Sequence, residues 1–249
     1  MTAAAGAARP RLAGVLLDAD DTLYDTKAAM HSAGAVAARA LWPDAHPDRV
    51  ARAGVRFRDD PEGHFPAFVR GEVDFQRMRR SRVAALAEWL GQPVTDRLWS
   101  TFEAHYEPAF LAAMTAFDDV RPMLDGLRAA GLAVGVLTNS SQEYTDRKMR
   151  ASGLDGAFDV VCSRDTLGFG KPDVRAFHEA CRRLGTAPGS TLYVGDDLET
   201  DPLGAADAGL RAVWLVRDGE PDGLEGQRAR ARSIPVIHSL VEVVGLVQG

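Results

Sequence analysis

The apolar residues of this chain are spaced in two different ways, and the change from one to the other divides it. Gly14-Val15-Leu16-Leu17 is an apolar run without alternation, the pattern of a strand buried on both faces, and it breaks into Asp18, Asp20, Asp21 and Thr22. After Tyr24 that pattern stops. Met30, Val36 and Leu41 are spaced as on one helix face, and Trp42-Pro43-Asp44 ends the helix. Helical text returns around Val50–Phe57, followed by a turn at Asp59–Gly63. Phe75, Met78, Leu86 and Leu90 mark a further helix closed by Gly91, and Thr95-Asp96 opens another that carries Leu98, Trp99, Phe102 and Tyr106 toward Pro108. Residues 26–117 therefore read as three or four helices without a strand, an all-helical insert.

From Asp118 strands and helices alternate. The expected order is a helix at Val120–Ala130, a strand at Leu132–Leu137 ending in Thr138-Asn139-Ser140-Ser141, and a helix at Gln142–Ala151. A strand at Phe158–Cys162, a loop to Gly170, a helix starting near Lys171-Pro172-Asp173 and a strand at Thr191–Val194 follow. That last strand ends in Gly195-Asp196-Asp197-Leu198-Glu199-Thr200-Asp201, with Pro202 placed to open the next helix and Asp201 to cap it. Leu210–Val216 reads as a strand, and Ile234–Ile237 and Leu240–Val247 as a final strand and helix. The pattern is that of an α/β fold, a Rossmann-like parallel sheet covered by helices. Residues 1–25 and 118–249 form its core, and 26–117 are the insert.

Composition narrows the classes. The chain has 249 residues, 46% hydrophobic and 26% charged, with a net charge of −6. This is ordinary globular material with room for a sizeable core. The negative charge argues against nucleic acid or an anionic membrane as partner. No apolar run approaches the roughly 18 residues of a membrane span. Cys162 and Cys181 lack CxxC spacing and read as reduced structural thiols. The expectation is a cytoplasmic protein, monomer or homodimer, with a loose N-terminal tail.

Three strand ends carry polar clusters: Asp18/Asp20, Thr138/Asn139 and Asp196/Asp197/Asp201. Open parallel sheets bind ligands beyond the carboxyl ends of their strands. Carboxylates gathered there repel one another and desolvate poorly, a cost that a hard cation such as Mg²⁺ offsets, commonly beside phosphate. Lys171 can add positive charge in a chain with lysine only at 27, 148 and 171. Plainer readings stand beside these. Thr138–Ser141 could be a turn and cap, and Asp201 chiefly a helix cap. Arg77, Arg79, Arg80 and Arg82 read as a solvated helix face. Trp89, Trp99, Phe102 and Tyr106 read as core of the insert, and the six histidines show no metal or dyad spacing.

The order of these clusters resembles the haloacid dehalogenase superfamily, in its phosphatase branch with a helical cap. Val15–Leu23 looks like that family's first motif, Leu137-Thr138-Asn139 the second, Gly170-Lys171-Pro172-Asp173 the third and Val194–Asp201 the fourth. Asp21 stands where many members have glycine. The resemblance implies that Asp18 is the nucleophile that forms an aspartyl-phosphate, and Asp20 the general acid and base. Thr138, Asn139 and Lys171 would bind the phosphoryl group. Mg²⁺ would be held by Asp18, Asp196 and the backbone carbonyl of Asp20, with Asp201 and Asp197 acting more remotely. The implied activity is hydrolysis of a small phosphorylated metabolite, with residues 26–117 as the cap. A phosphomutase, a 2-haloacid dehalogenase and a non-catalytic binding protein are the alternatives. Related C–P bond hydrolases use a cap lysine, and no lysine occurs between Lys27 and Lys148.

Overall fold

The computed structural model describes residues 10–221 and 223–248. The chain forms two compact units, one made of the residues to Tyr24 with those from Ala116, the other of Asp25–Thr115. In chain order the elements are β1 (Gly14–Leu17), α1 (Thr26–Leu41), α2 (Pro47–Asp59), α3 (His64–Val69), α4 (Phe75–Trp89) and α5 (Leu98–Ala112). They continue with α6 (Val120–Ala129), β2 (Ala133–Thr138), α7 (Gln142–Ala151), β3 (Val160–Ser163), α8 (Arg164–Leu167) and α9 (Val174–Leu184). The last are β4 (Thr191–Gly195), α10 (Gly204–Asp207), β5 (Arg211–Leu215), α11 (Gly223–Ala231), β6 (Val236–Ile237) and α12 (Val241–Gln248).

The first unit is a parallel sheet in the order β3-β2-β1-β4-β5-β6. β1 sits at its centre with all four residues buried, paired with β2 from Gly14↔Ala133 to Leu17↔Val136 and with β4 from Gly14↔Thr191 to Leu17↔Val194. The chain leaves β1 toward β2 and later returns to its other side as β4, so the strand order reverses there. Such a reversal opens a crevice beyond the strand ends. Asp18, Thr138 and Asp196 lie there. Buried Ala176, Phe177 and Ala180 of α9 join Leu16, Leu137 and Tyr193 in one apolar cluster beneath them. Burying each leucine or phenylalanine contributes about 1.5–3 kcal/mol. β3 begins two residues later than expected, because Asp159 turns its carboxylate onto the Val134 amide at 2.8 Å.

The second unit holds five helices, not three or four. Asp60 and Gly63 take left-handed conformations, with φ of 48° and 74°, and between them turn the chain into the short α3. A two-turn helix this brief leaves no apolar period to read. α5 also runs past Pro108 to Ala112. Pro108 and Ala104 both lie on the exposed side, where water can take up the carbonyl that proline frees. α1 and α2 approach closely enough that a Cβ at Gly54 would strike the His31 carbonyl. Phe57, Phe102 and Tyr106 form the core, with the Phe57 ring 5.2 Å from each of the other two.

The arginine face expected on α4 is only half solvated. Arg77 and Arg80 are exposed, whereas Arg79 and Arg82 are buried. Arg82 stacks 4.6 Å from the Phe57 ring centre and donates to the carbonyls of Phe57 and Arg58. Arg79 pairs with Glu103 at 2.8 Å. Flat guanidinium groups can enter an aromatic core where an ammonium cannot, and that is what helical spacing alone missed. Trp89 and Trp99 are half-buried under arginines, while Phe102 and Tyr106 are true core. Among the described residues no helix is long and apolar enough to cross a membrane.

Asp119, just ahead of α6, ties the sheet unit together. It accepts from Arg217 at 3.0 and 3.2 Å, from the Ser239 hydroxyl and from the Leu240 amide, while Arg217 also donates to the Thr22 carbonyl. Burial alone would raise the Asp119 carboxyl, but Arg217 and the Leu240 and Ser239 donors together hold it below its ordinary value. Asp119→Asn is therefore expected to cost about 1–3 kcal/mol at neutral pH. A carboxyl held low in the folded state stabilises above its unfolded value and loses that contribution on protonation, so the deficit should shrink below about pH 4. Urea denaturation of both proteins at about pH 7 and about pH 3 checks this; an equal deficit at both would contradict it.

Candidate active site

The crevice beyond β1, β2 and β4 is built around one buried ammonium. Lys171 lies in the loop ahead of α9, whose N-cap is Asp173. Its Nζ donates to Asp18 Oδ1, to Asp201 Oδ1 at 2.6 Å and to the Tyr193 hydroxyl at 3.0 Å. The Tyr193 hydroxyl in turn faces Asp201 Oδ1 at 3.1 Å and the Leu137 carbonyl at 3.2 Å. Asp18 follows β1 directly, and its amide still bonds to the Val194 carbonyl at 2.9 Å, so the sheet fixes its backbone. β1 and β4 with its following loop thus meet on one side chain, and β2 joins them through the Tyr193 hydroxyl.

Asn139 is placed differently from the sequence reading. Its amide donates to the Lys171 carbonyl at 2.9 Å and its Oδ1 accepts from the Lys171 amide at 2.7 Å. Both polar ends clamp the lysine's backbone. Thr138 is buried at the end of β2, its hydroxyl oxygen accepting from the Ser140 amide at 3.1 Å.

The loop after β4 exchanges two expected roles. Pro202 does not open a helix; it lies inside a five-residue π-type turn, Glu199–Leu203, which leads into α10. Asp201 is no cap. It is 1% exposed, and its second oxygen accepts from the Asp197 amide at 3.1 Å. Capping falls to Asp197, whose Oδ1 accepts from the amides of Glu199 and Thr200 at 3.1 and 2.9 Å. A Cβ on Gly195 would collide with the Asp201 carboxylate, so this close approach needs glycine. Asp196 is half-buried, with its carbonyl bonded to the Trp214 indole at 2.8 Å.

Asp20 faces a partner that the sequence reading did not assign. Lys148, on α7, sets its Nζ 2.7 Å from both Asp20 oxygens, and its side chain is 3% exposed. The signal for it was present: Lys148 shares the buried face of α7 with Thr145 and Met149, where a lysine needs a partner. Asp21 has φ of 59°, a left-handed conformation that aspartate tolerates and glycine takes freely, which accounts for the glycine common at this place in the first motif. The hydroxyl of fully buried Tyr24 has no hydrogen-bond partner among the described residues. Burial, then Asp20, Asp18 and Asp21, push that phenol far above its ordinary range, so it stays protonated.

Oxygens of Asp18, Asp196 and Asp201 lie within 4.8 Å of one another. Asp20's carboxylate is not in that group; both its oxygens accept from Lys148. Burial pushes the Asp18 carboxyl up to about 7 against the pull of Lys171, and raises Asp201 in the same way. Burial would lower Lys171, but Asp18 and Asp201 outweigh it and keep the ammonium charged. Two buried carboxylates on one ammonium leave negative charge over, before Asp196 is counted. An all-oxygen set carrying surplus charge suits a hard divalent cation. A second group, Asp60, Glu62 and His64, lies in the helical unit, giving one histidine a neighbourhood that its spacing did not show. Arg82 and Arg56 already pair with its two carboxylates, so it reads as an internal ion cluster.

This geometry has counterparts among known proteins. The haloacid dehalogenase-like hydrolase family matches residues 12–209. The chain belongs to that family. Phosphoserine phosphatase of Thermus thermophilus is 31% identical over 236 residues, covering 85% of this hydrolase and 91% of that enzyme. Glyceraldehyde 3-phosphate phosphatase of Methanothermobacter thermautotrophicus is 30% identical over 142 residues, 56% of this chain and 63% of that one. (S)-2-haloacid dehalogenase 4A of Burkholderia cepacia is also among the relatives, 32% identical over 130 residues, 52% of each chain. The magnesium-bound hydrolase YfnB of Bacillus subtilis superposes with a TM-score of 0.74 at 25% identity, covering 96% of this chain and 100% of its own.

Tyr193→Phe tests how this hydrolase holds its central ammonium. The ring packing on Phe177, with centroids 5.1 Å apart, should survive. Losing the hydroxyl should cost about 1–3 kcal/mol and lower turnover, because Lys171 loses one of three partners. Thermal denaturation and activity, measured together, check it; unchanged values in both would contradict the assignment.

Proposed function

We propose that this hydrolase is a Mg²⁺-dependent phosphomonoesterase that acts on a small phosphorylated metabolite through an aspartyl-phosphate at Asp18. The observation that carries the reading is Asp20, a second carboxylate two residues beyond a buried nucleophile and held by its own ammonium. An ester oxygen leaving phosphorus needs a proton, and Asp20 is the group to deliver it. Halide leaving carbon needs none, so 2-haloacid dehalogenation leaves Asp20 without work. The absence of lysine between 27 and 148 speaks against a C–P bond hydrolase.

In the first step an Asp18 oxygen attacks phosphorus, the P–O ester bond breaks, and the proton of Asp20 passes to the departing alkoxide. In the second, water attacks the same phosphorus, gives its proton to Asp20, and releases phosphate and the Asp18 carboxylate. Lys171, and Thr138 at the end of β2, orient the phosphoryl oxygens, and Asn139 keeps Lys171 in register. Asp18, Asp196 and Asp201 would hold Mg²⁺, which supplies charge neutralisation for the carboxylates and the phosphoryl group. The magnesium in YfnB and the phosphatase relatives support this reading. The helical insert falls between β1 and β2 in the sequence, the position that the resemblance gives to a cap.

Released phosphate, measured over a panel of phosphorylated metabolites with and without Mg²⁺, tests the proposal. Activity should vanish after chelation and return with Mg²⁺. Asp18→Asn should fall by on the order of a thousandfold or more with the fold intact, and Asp196→Ala should lose metal affinity and rate together. Full turnover after chelation, retained activity in Asp18→Asn, or metal-free halide release from a 2-haloacid would overturn it.

A further inference from the structure

We infer that Lys148 is the positioning residue for Asp20, fixing the side-chain carboxyl group that, in its protonated form, hands a proton to the leaving group and, as the carboxylate, takes one back from water; this rests on the proton-transfer role proposed for Asp20. Both Asp20 oxygens accept from the one Lys148 ammonium, at 2.7 Å each. Two-point donation from a single nitrogen holds the plane of the carboxylate as well as its place. The ammonium lies over two aromatic rings, 5.4 Å from the centre of Tyr24 and 5.5 Å from that of Tyr144. Those contacts limit where it can move.

The scaffold under Lys148 is that of the site itself. α7 starts four residues after Thr138, with the Ser141 side chain accepting from the Tyr144 amide at 3.3 Å. The β2–α7 unit that presents Thr138 therefore also carries Lys148. Burying a lysine to hold a single carboxylate is expensive, and an apolar side chain on the same helix face would pack with less cost. A lysine in a chain that otherwise uses arginine is suited to the work: a compact point charge can sit on both oxygens, where a guanidinium would need more room.

Acting through Asp20, Lys148 should matter only when the leaving group needs a proton. The experiment compares wild type, Lys148→Met, Asp20→Asn and the double variant on glycerol 2-phosphate, which leaves as an alkoxide, and p-nitrophenyl phosphate, which leaves as a stable anion. Lys148→Met should lower kcat on the alkyl ester by about a hundredfold and on the aryl ester by less than about tenfold, with KM little changed. The double variant should be no slower than Asp20→Asn alone, because residues acting through one another are not additive. Equal losses on the two substrates, or multiplied losses in the double variant, would overturn the inference. If Asp20→Asn itself fails to distinguish the substrates, the role of Asp20 is wrong and this inference falls with it. Circular dichroism and thermal denaturation report folding. Should Lys148→Met not fold, Lys148→Arg keeps the charge and displaces it, and must show the same bias toward the alkyl ester; an even loss overturns the inference.

Discussion

A buried ammonium shared between two buried carboxylates constrains everything around it. Lys171 can stay inside the protein only while Asp18, Asp201 and Tyr193 meet its three N–H groups, and those residues come from β1, the loop after β4 and β4 itself. Removing any one leaves a charge or a donor buried without a partner, a cost of several kcal/mol for an ion. The sheet order 3-2-1-4-5-6 satisfies that demand by setting β1 between β2 and β4, so that their ends arrive together. Gly195 admits the Asp201 carboxylate, and Asn139 fixes the lysine's backbone from the β2 side.

The same arrangement sets the electrostatics. One ammonium against Asp18 and Asp201 is short of positive charge, and burial therefore drives both carboxyls upward. Adding Asp196 within 4.8 Å increases the deficit. Surplus negative charge on an all-oxygen set of this kind suits a hard divalent cation. Asp20 stands apart from that competition because Lys148 neutralises it separately. Two lysines thus divide the carboxylates between them, Lys171 pairing with Asp18 and Asp201 and Lys148 with Asp20.

Much of this was legible in the sequence where the physics is local. Fully buried parallel strands appear as unbroken apolar runs, so β1, β2 and β4 and their polar ends could be read, and Lys171 stood out by its rarity. What could not be read depends on which side chain faces which. Asp197 and Asp201 exchanged capping and buried roles within four residues, a choice made by the π-type turn that draws Asp201 inward. Asn139 looked like a substrate contact because only the fold brings the Lys171 backbone beside it. Lys148 lies 128 residues from Asp20, and no spacing links them. Arg79 and Arg82 followed the helical period of a solvated face but are drawn into the aromatic core.

If Asp18 carries the phosphoryl group from the ester to water, an aspartyl-phosphate forms at that residue during turnover. Acid-quenching the enzyme during turnover, reducing the acyl-phosphate with borohydride and mapping the peptides by mass spectrometry reads that directly. The expected result is conversion of the aspartate to homoserine at position 18 and at no other carboxylate. Modification elsewhere, or none during a steady release of phosphate, would contradict it.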